Sequence, residues 1–160
     1  SYLRIIERVR AVRPDVAISG DFIVGFPGES DADFEDTLSI VRETRYAYAY
    51  SFKYSPRPGT PAATMESQIA PEIADERLQR LQALITEQQT AFNHATLGKR
   101  TSVLLEKPGK LAGQLIGKSP WLQSVHILGS GLSIGDIVEV DITEAGSLSL
   151  KGELLMKVAA

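Results

Sequence analysis

The residues whose types and spacing could do chemistry begin with Asp21-Phe-Ile-Val-Gly-Phe-Pro-Gly-Glu29. Phe22, Ile23 and Val24 form a short apolar run, which predicts a strand buried on both faces. Gly25 and Gly28 permit positive φ or close backbone approach, and Pro27 fixes its own φ while donating no hydrogen bond. Ser30 with Asp33 three residues later reads as a helix N-cap with a capping box. A strand, a Gly-rich turn and a helix in this order place a ligand site at the carboxyl end of the strand in α/β folds. The same shape also serves an ordinary βα turn.

Charge narrows the ligand. Glu29, Asp31, Asp33, Glu35 and Asp36 crowd the helix start, which complements the helix dipole but repels a pyrophosphate. The nucleotide-loop patterns are also missing. A neutral or cationic ligand fits better. A second candidate is Ser55-Pro-Arg-Pro-Gly-Thr-Pro-Ala62, an extended loop in which Arg57 could reach an anion, or else a rigid linker. His94 reads as a helix-end histidine, where a cation is favoured, and not as a metal ligand.

The elements that must position these residues fall into two grammars. Residues 1–13 repeat Leu3, Ile5, Ile6, Val9 and Val12 at helical spacing, starting as if inside a helix. This predicts that the chain is a fragment. Residues 16–24 form a strand, 30–44 an amphipathic helix, and 46–54 a second strand with alternating Tyr46, Tyr48, Tyr50, Phe52 and Tyr54. Helix, strand, helix, strand implies parallel strands with crossover helices. Pro71 opens a long helix striped by Ala74, Leu78, Leu81, Ile85, Phe92 and Ala95, and Gly98 stops it. Five short strands follow (101–106, 113–117, 122–128, 136–143 and 148–155), with turn residues between them. They predict a small antiparallel barrel of the OB kind. The fold class is thus α/β followed by all-β, in segments 1–70, 71–98 and 99–158.

Net charge is −3 over 160 residues, so bulk basicity supports no nucleic-acid argument, and the absence of cysteine excludes disulfides and thiolate metal sites from these residues. No long apolar run or signal pattern suggests a membrane. Within the barrel, Lys99, Arg100, Lys107, Lys110 and Lys118 stand against Glu106 alone, making the early half cationic. OB-type barrels bind single-stranded nucleic acid through basic and aromatic surface residues. The candidates are Lys99, Arg100, Lys118, Trp121, Gln123 and His126. A barrel plug is the alternative for Trp121, and a satisfied strand residue for His126.

Three segments in order carry a resemblance: Asp21 to Glu29, Tyr54-Ser-Pro-Arg-Pro-Gly-Thr-Pro-Ala62, and Gly117-Lys-Ser-Pro-Trp-Leu-Gln-Ser-Val-His126. Together they resemble the radical S-adenosylmethionine methylthiotransferases. The likeness is strongest to the tRNA enzymes that add a methylthio group to isopentenyladenosine beside the anticodon. Leu104-Leu-Glu-Lys-Pro-Gly109 favours that branch over the one acting on a ribosomal protein. The resemblance implies the last strands of a radical (β/α) barrel of the TIM type, a connecting helix, and an RNA-binding TRAM barrel.

It also implies S-adenosylmethionine and two 4Fe-4S clusters, whose cysteine ligands lie upstream of Ser1. On this basis the chain lacks catalytic and metal residues and is inactive alone. By position, Ile23 and Gly25 match the strand lining the cofactor's adenine, and Tyr54, Ser55 and Pro56 match the next strand and its loop. The implied partners are a tRNA anticodon stem-loop and a sulfur donor for the auxiliary cluster, in a monomeric cytoplasmic enzyme. A complete, non-catalytic RNA-binding protein is the competing reading.

Overall fold

The computed structural model describes residues 1–158. Two compact units divide within one helix, Ser1–Gln88 and Gln89–Ala160.

In the first unit, α1 (Tyr2–Val12), β1 (Ser19–Val24), α2 (Asp31–Thr44) and β2 (Tyr48–Lys53) follow in order, and α3 begins at Pro71 and runs to His94. The two strands are parallel, with Asp21 paired to Tyr50 and Ile23 to Phe52. Parallel pairing needs a crossover, and α2 supplies it. Ser30 caps α2 reciprocally: the Asp33 N–H donates to Ser30 Oγ at 3.2 Å, and the Ser30 N–H donates to Asp33 Oδ2 at 2.9 Å. The Ser30 hydroxyl and amide hold the Asp33 carboxyl below its ordinary range. Phe34, Leu38 and Val41 of α2 pack with Val24, Tyr46, Leu81 and Ile85 into one core. Burying each such side chain contributes about 1.5–3 kcal/mol.

Three expectations for this unit need correction. The first strand starts at Ser19 and not at residue 16, because the Val16 N–H closes a turn on Arg13 O. Tyr46 precedes β2; its N–H donates to Gln88 Oε1 and its ring lies in the core. The sheet is covered on one face only, since Ile23, Tyr50 and Phe52 are more than half exposed while Val24 is fully buried. The described residues form this two-stranded αβαβ array and no closed (β/α) barrel.

The second unit is a closed barrel of β3 (Arg100–Pro108), β4 (Gln114–Lys118), β5 (Ser124–Leu128), β6 (Ile137–Ala145) and β7 (Leu150–Lys157), in the order β3-β4-β5-β7-β6. One pair departs from the antiparallel expectation: β5 and β7 run parallel, with Val125 opposite Leu150. Alternate residues point inward, and Val103, Leu105, Val125, Ile127, Val138, Val140, Ile142 and Leu150 make the core. A barrel this small admits no side chain at two glycines. A Cβ on Gly117 would lie 2.3 Å from Leu104 O, and one on Gly152 would lie 2.9 Å from Val140 Cγ2. No helix among the described residues is long and apolar enough to cross a membrane.

Candidate functional site

The first candidate region is the turn after β1. Gly25 takes a left-handed conformation, φ 72°, and donates its N–H to Glu29 Oε1 at 3.0 Å. A Cβ there would sit 2.8 Å from the Cβ of Ala74 on α3. The close approach that demands glycine is therefore made to this helix. The same Glu29 oxygen accepts from Arg77 Nη1 at 2.6 Å. Arg77 also donates to the Glu29 carbonyl at 3.0 Å and to Asp31 Oδ1 at 2.6 Å. Burial opposes the Arg77 charge, but its bonds to Asp31 and Glu29 outweigh that and hold its pKa above the ordinary value. Arg80 pairs with Glu35. The acidity that the sequence sets at this helix start is thus partly neutralised by arginines of α3. It gives less support to a cationic ligand than the charges alone suggest.

Around the turn, Ile23 and Phe26 stay exposed. Tyr54 continues from β2, its N–H donating to Val24 O at 2.8 Å, and its ring meets Phe26 edge-on at 5.1 Å. The Tyr54 hydroxyl is buried without a hydrogen-bond partner. Ser55 and Pro56 follow on the surface. Arg57 is exposed, and its carbonyl accepts from both the amide and the hydroxyl of Thr60, so the proline loop begins with a turn. Arg77 was not singled out from the sequence. Its signal was there: position 77 falls on the Ala74, Leu78, Leu81 stripe, where an arginine needs an acidic partner.

The second region is the end of the barrel where β3 begins and β4 passes into β5. Lys99, Arg100, Lys118, Trp121 and Gln123 share it. Lys107 and Lys110 lie at the opposite hairpin, so the basic run in sequence does not make one patch in space. Arg100 is paired with Asp141 at 3.1 Å. Lys118 Nζ donates to Ser124 Oγ at 2.9 Å and to the Leu122 carbonyl at 3.3 Å. Lys99 is exposed.

Loop 119–123 is held from beneath. Ser119 Oγ donates to Gln123 Oε1, Gln123 Nε2 donates to Asn93 Oδ1, and Asn93 Nδ2 donates to the Gly146 and Ser147 carbonyls. All three side chains are buried. Gln123 is therefore a scaffold residue whose amide is spent inward on Ser119 and Asn93. Asn93, missed from the sequence, is its partner. The loop also carries Leu122 at φ 60°, a strained conformation for a side chain with a Cβ. Trp121 is half-buried on this loop, outside the barrel core cluster, so the plug alternative is set aside. His126 is half-buried on β5 and lines an open groove of about 420 Å³ with Gln114, Glu144 and Lys151.

Comparisons with known proteins bear on the chain as a whole. Residues 94–155 match the TRAM domain. The chain is 69% identical over 159 residues to a tRNA-2-methylthio-N(6)-dimethylallyladenosine synthase of Sphingopyxis alaskensis, covering 99% of the chain and 36% of that protein. It is 64% identical over 160 residues to the synthase of Erythrobacter litoralis, covering 100% of the chain and 36% of that protein. It is 59% identical over 155 residues to that of Zymomonas mobilis, covering 97% of the chain and 35% of that protein. The chain thus spans about a third of the length of these relatives. At that identity across nearly all its residues, the chain matches a segment of proteins that carry the synthase name, and its barrel coincides with the TRAM match.

Proposed function

We propose that this chain is part of a tRNA-modifying methylthiotransferase that adds a methylthio group to an isopentenylated adenosine beside the anticodon. In this reading the first unit supplies part of the S-adenosylmethionine wall and the barrel holds the anticodon stem-loop. The observation that carries it is the 69% identity over 99% of the chain to a protein bearing that synthase name.

The residues of the first unit fit S-adenosylmethionine. Ile23 and Phe26 offer exposed apolar surface to an adenine, and the buried Tyr54 hydroxyl lacks a partner that a polar ligand atom could provide. Bound there, S-adenosylmethionine would supply the radical that abstracts hydrogen from the target base. Ile23 and Phe26 would exclude water from a bound adenine, with Gly25 to Glu29 at the edge of the wall and Ser55 and Pro56 flanking it. Iron–sulfur clusters do not fit this chain's residues, because thiolates are their usual protein ligands and no cysteine is present.

On the barrel, Trp121 is the stacking candidate and Lys118 and Lys99 are the phosphate candidates; His126 serves the adjoining groove. Arg100 contributes less, because Asp141 already neutralises it. The test uses the full-length enzyme and a synthetic anticodon stem-loop. Trp121→Ala should weaken stem-loop binding at least fivefold while S-adenosylmethionine affinity holds. Unchanged stem-loop affinity in Trp121→Ala and in Lys118→Ala would place the RNA elsewhere.

A further inference from the structure

We infer that Arg77 is a positioning residue for the cofactor wall, acting through the Glu29 carboxylate on the Gly25–Glu29 turn. The inference rests on reading that turn as part of the S-adenosylmethionine site. Arg77 is 4% exposed, yet it carries a full charge. Burying a guanidinium is costly, and an apolar side chain at this helical position would pack α3 against its neighbours without that cost. What an apolar side chain could not do is hold three acceptors at once. Arg77 reaches the Glu29 carbonyl, the Glu29 carboxylate and Asp31 Oδ1, all within 3.0 Å.

The Glu29 oxygen it holds is the same one that accepts the Gly25 N–H. The chain of contacts therefore runs from α3 through a carboxylate to the first amide of the turn. Gly25 sits in the left-handed region and abuts Ala74, one turn before Arg77 on α3. The Gly28 N–H is tied separately to Ser67 O. With both ends of the turn anchored, Ile23 and Phe26 are presented at a fixed height on the open face. The Arg77 guanidinium bonds to Glu29 and Asp31 and lies over the Phe34 ring, so none of these partners is Ile23 or Phe26. Its effect on a ligand must pass through the turn.

The experiment uses the full-length enzyme with its clusters in place, and reads S-adenosylmethionine affinity by equilibrium dialysis. Stem-loop affinity, cluster absorbance and melting temperature are followed beside it. Arg77→Met should weaken S-adenosylmethionine at least tenfold, with cluster absorbance and stem-loop affinity unchanged. Arg77→Lys should recover part of the loss, because an ammonium can serve the carboxylate but not all three acceptors. Ile23→Asn, on the open face, tests the wall itself.

If Ile23→Asn weakens the cofactor tenfold while Arg77→Met stays within twofold of wild type, the positioning role is wrong and the wall stands. If neither weakens it, the wall reading fails and the inference falls with it. Equal losses of cofactor and stem-loop affinity in Arg77→Met would mark general destabilisation and overturn the inference. Should Arg77→Met not fold, Glu29→Gln decides: it keeps the shape and removes the charge, so a severalfold weaker cofactor supports the role and wild-type affinity overturns it.

Discussion

Gln123 Nε2 donates to Asn93 Oδ1 at 2.9 Å, joining a residue near the end of α3 to a β4–β5 loop 30 positions away. The other half of the Asn93 amide, Nδ2, holds the β6–β7 turn through Gly146 O at 2.8 Å and Ser147 O at 3.1 Å. One buried amide thus fixes two loops at the same end of the barrel.

Asn93→Ala should destabilise the barrel by about 2–3 kcal/mol, since it strands the Gln123 amide and two turn carbonyls in a buried setting. Gln123→Ala should cost about 1–3 kcal/mol for the same reason. A double-mutant cycle by urea denaturation should give a coupling of at least about 0.5 kcal/mol. Additive losses would mean that the two amides do not share one network.

Gly25→Ala should destabilise the first unit by roughly 2 kcal/mol or more, combining left-handed strain of about 1–2 kcal/mol with a collision against Ala74. Adding Ala74→Gly should restore the part due to collision and leave the part due to φ. Full recovery in the double variant, read from denaturant midpoints, would show that the conformation itself carries no cost.

Lys118→Ala and Trp121→Ala should weaken stem-loop binding by different routes. The lysine variant should flatten the salt dependence by about 0.7 in slope, one released counterion. It should also loosen the loop, because Nζ supports the Leu122 carbonyl. The tryptophan variant should cost about 1–3 kcal/mol with the slope preserved. Arg100→Ala should change the slope by less than Lys118→Ala, given the Asp141 pair. Titrations at several salt concentrations separate the three.

Tyr46 sets an alkaline limit. Burial, and then the 2.7 Å hydrogen bond with the Tyr2 hydroxyl, push its pKa up from its ordinary value to about 12. The folded state therefore holds this proton more tightly than the unfolded chain. Its stabilisation is complete below pH 10 and is lost as pH rises toward 12. Thermal melts should show wild type above Tyr46→Phe below pH 10, with the gap shrinking between pH 10 and 12. A constant gap would contradict the shift.

How much of this was legible in the sequence depends on which residues carried the signal. The five barrel strands and all three long helices could be read, because periodicity and Gly/Pro punctuation are local properties. The Ser30–Asp33 cap was legible for the same reason. The open face of β1 was not: Phe22-Ile-Val24 is uniformly apolar, and an apolar run cannot tell which of its faces the rest of the chain covers. The parallel β5–β7 pair was hidden because strand direction follows from closure, a property of the whole barrel. At the sites, type and exposure were confused. Gln123 looked like a surface ligand because its amide suits RNA as well as it suits Asn93. The charges of Lys99, Arg100, Lys107, Lys110 and Lys118 cluster along the chain but part company once β3 and β4 fold back on each other. Arg77 and Glu29, at 48 positions' separation, met only in three dimensions.

The parallel pairing of β5 with β7 has a kinetic consequence. Among the described residues β7 alone bridges β5 and β6, and it is the last of the five barrel strands in sequence. Until it arrives, a four-stranded sheet in the order β6-β3-β4-β5 can form, but the barrel has no lid on Val125 or Ile127. Both β5 and β6 then expose raw edges able to recruit a neighbouring chain. Closing pairs this distant in sequence is slow. β7 is thus the latch of the domain, and a chain cut before Leu150 would leave a sheet with two unpaired, sticky edges. Pulse-labelled amide exchange during refolding should find β7 protected last.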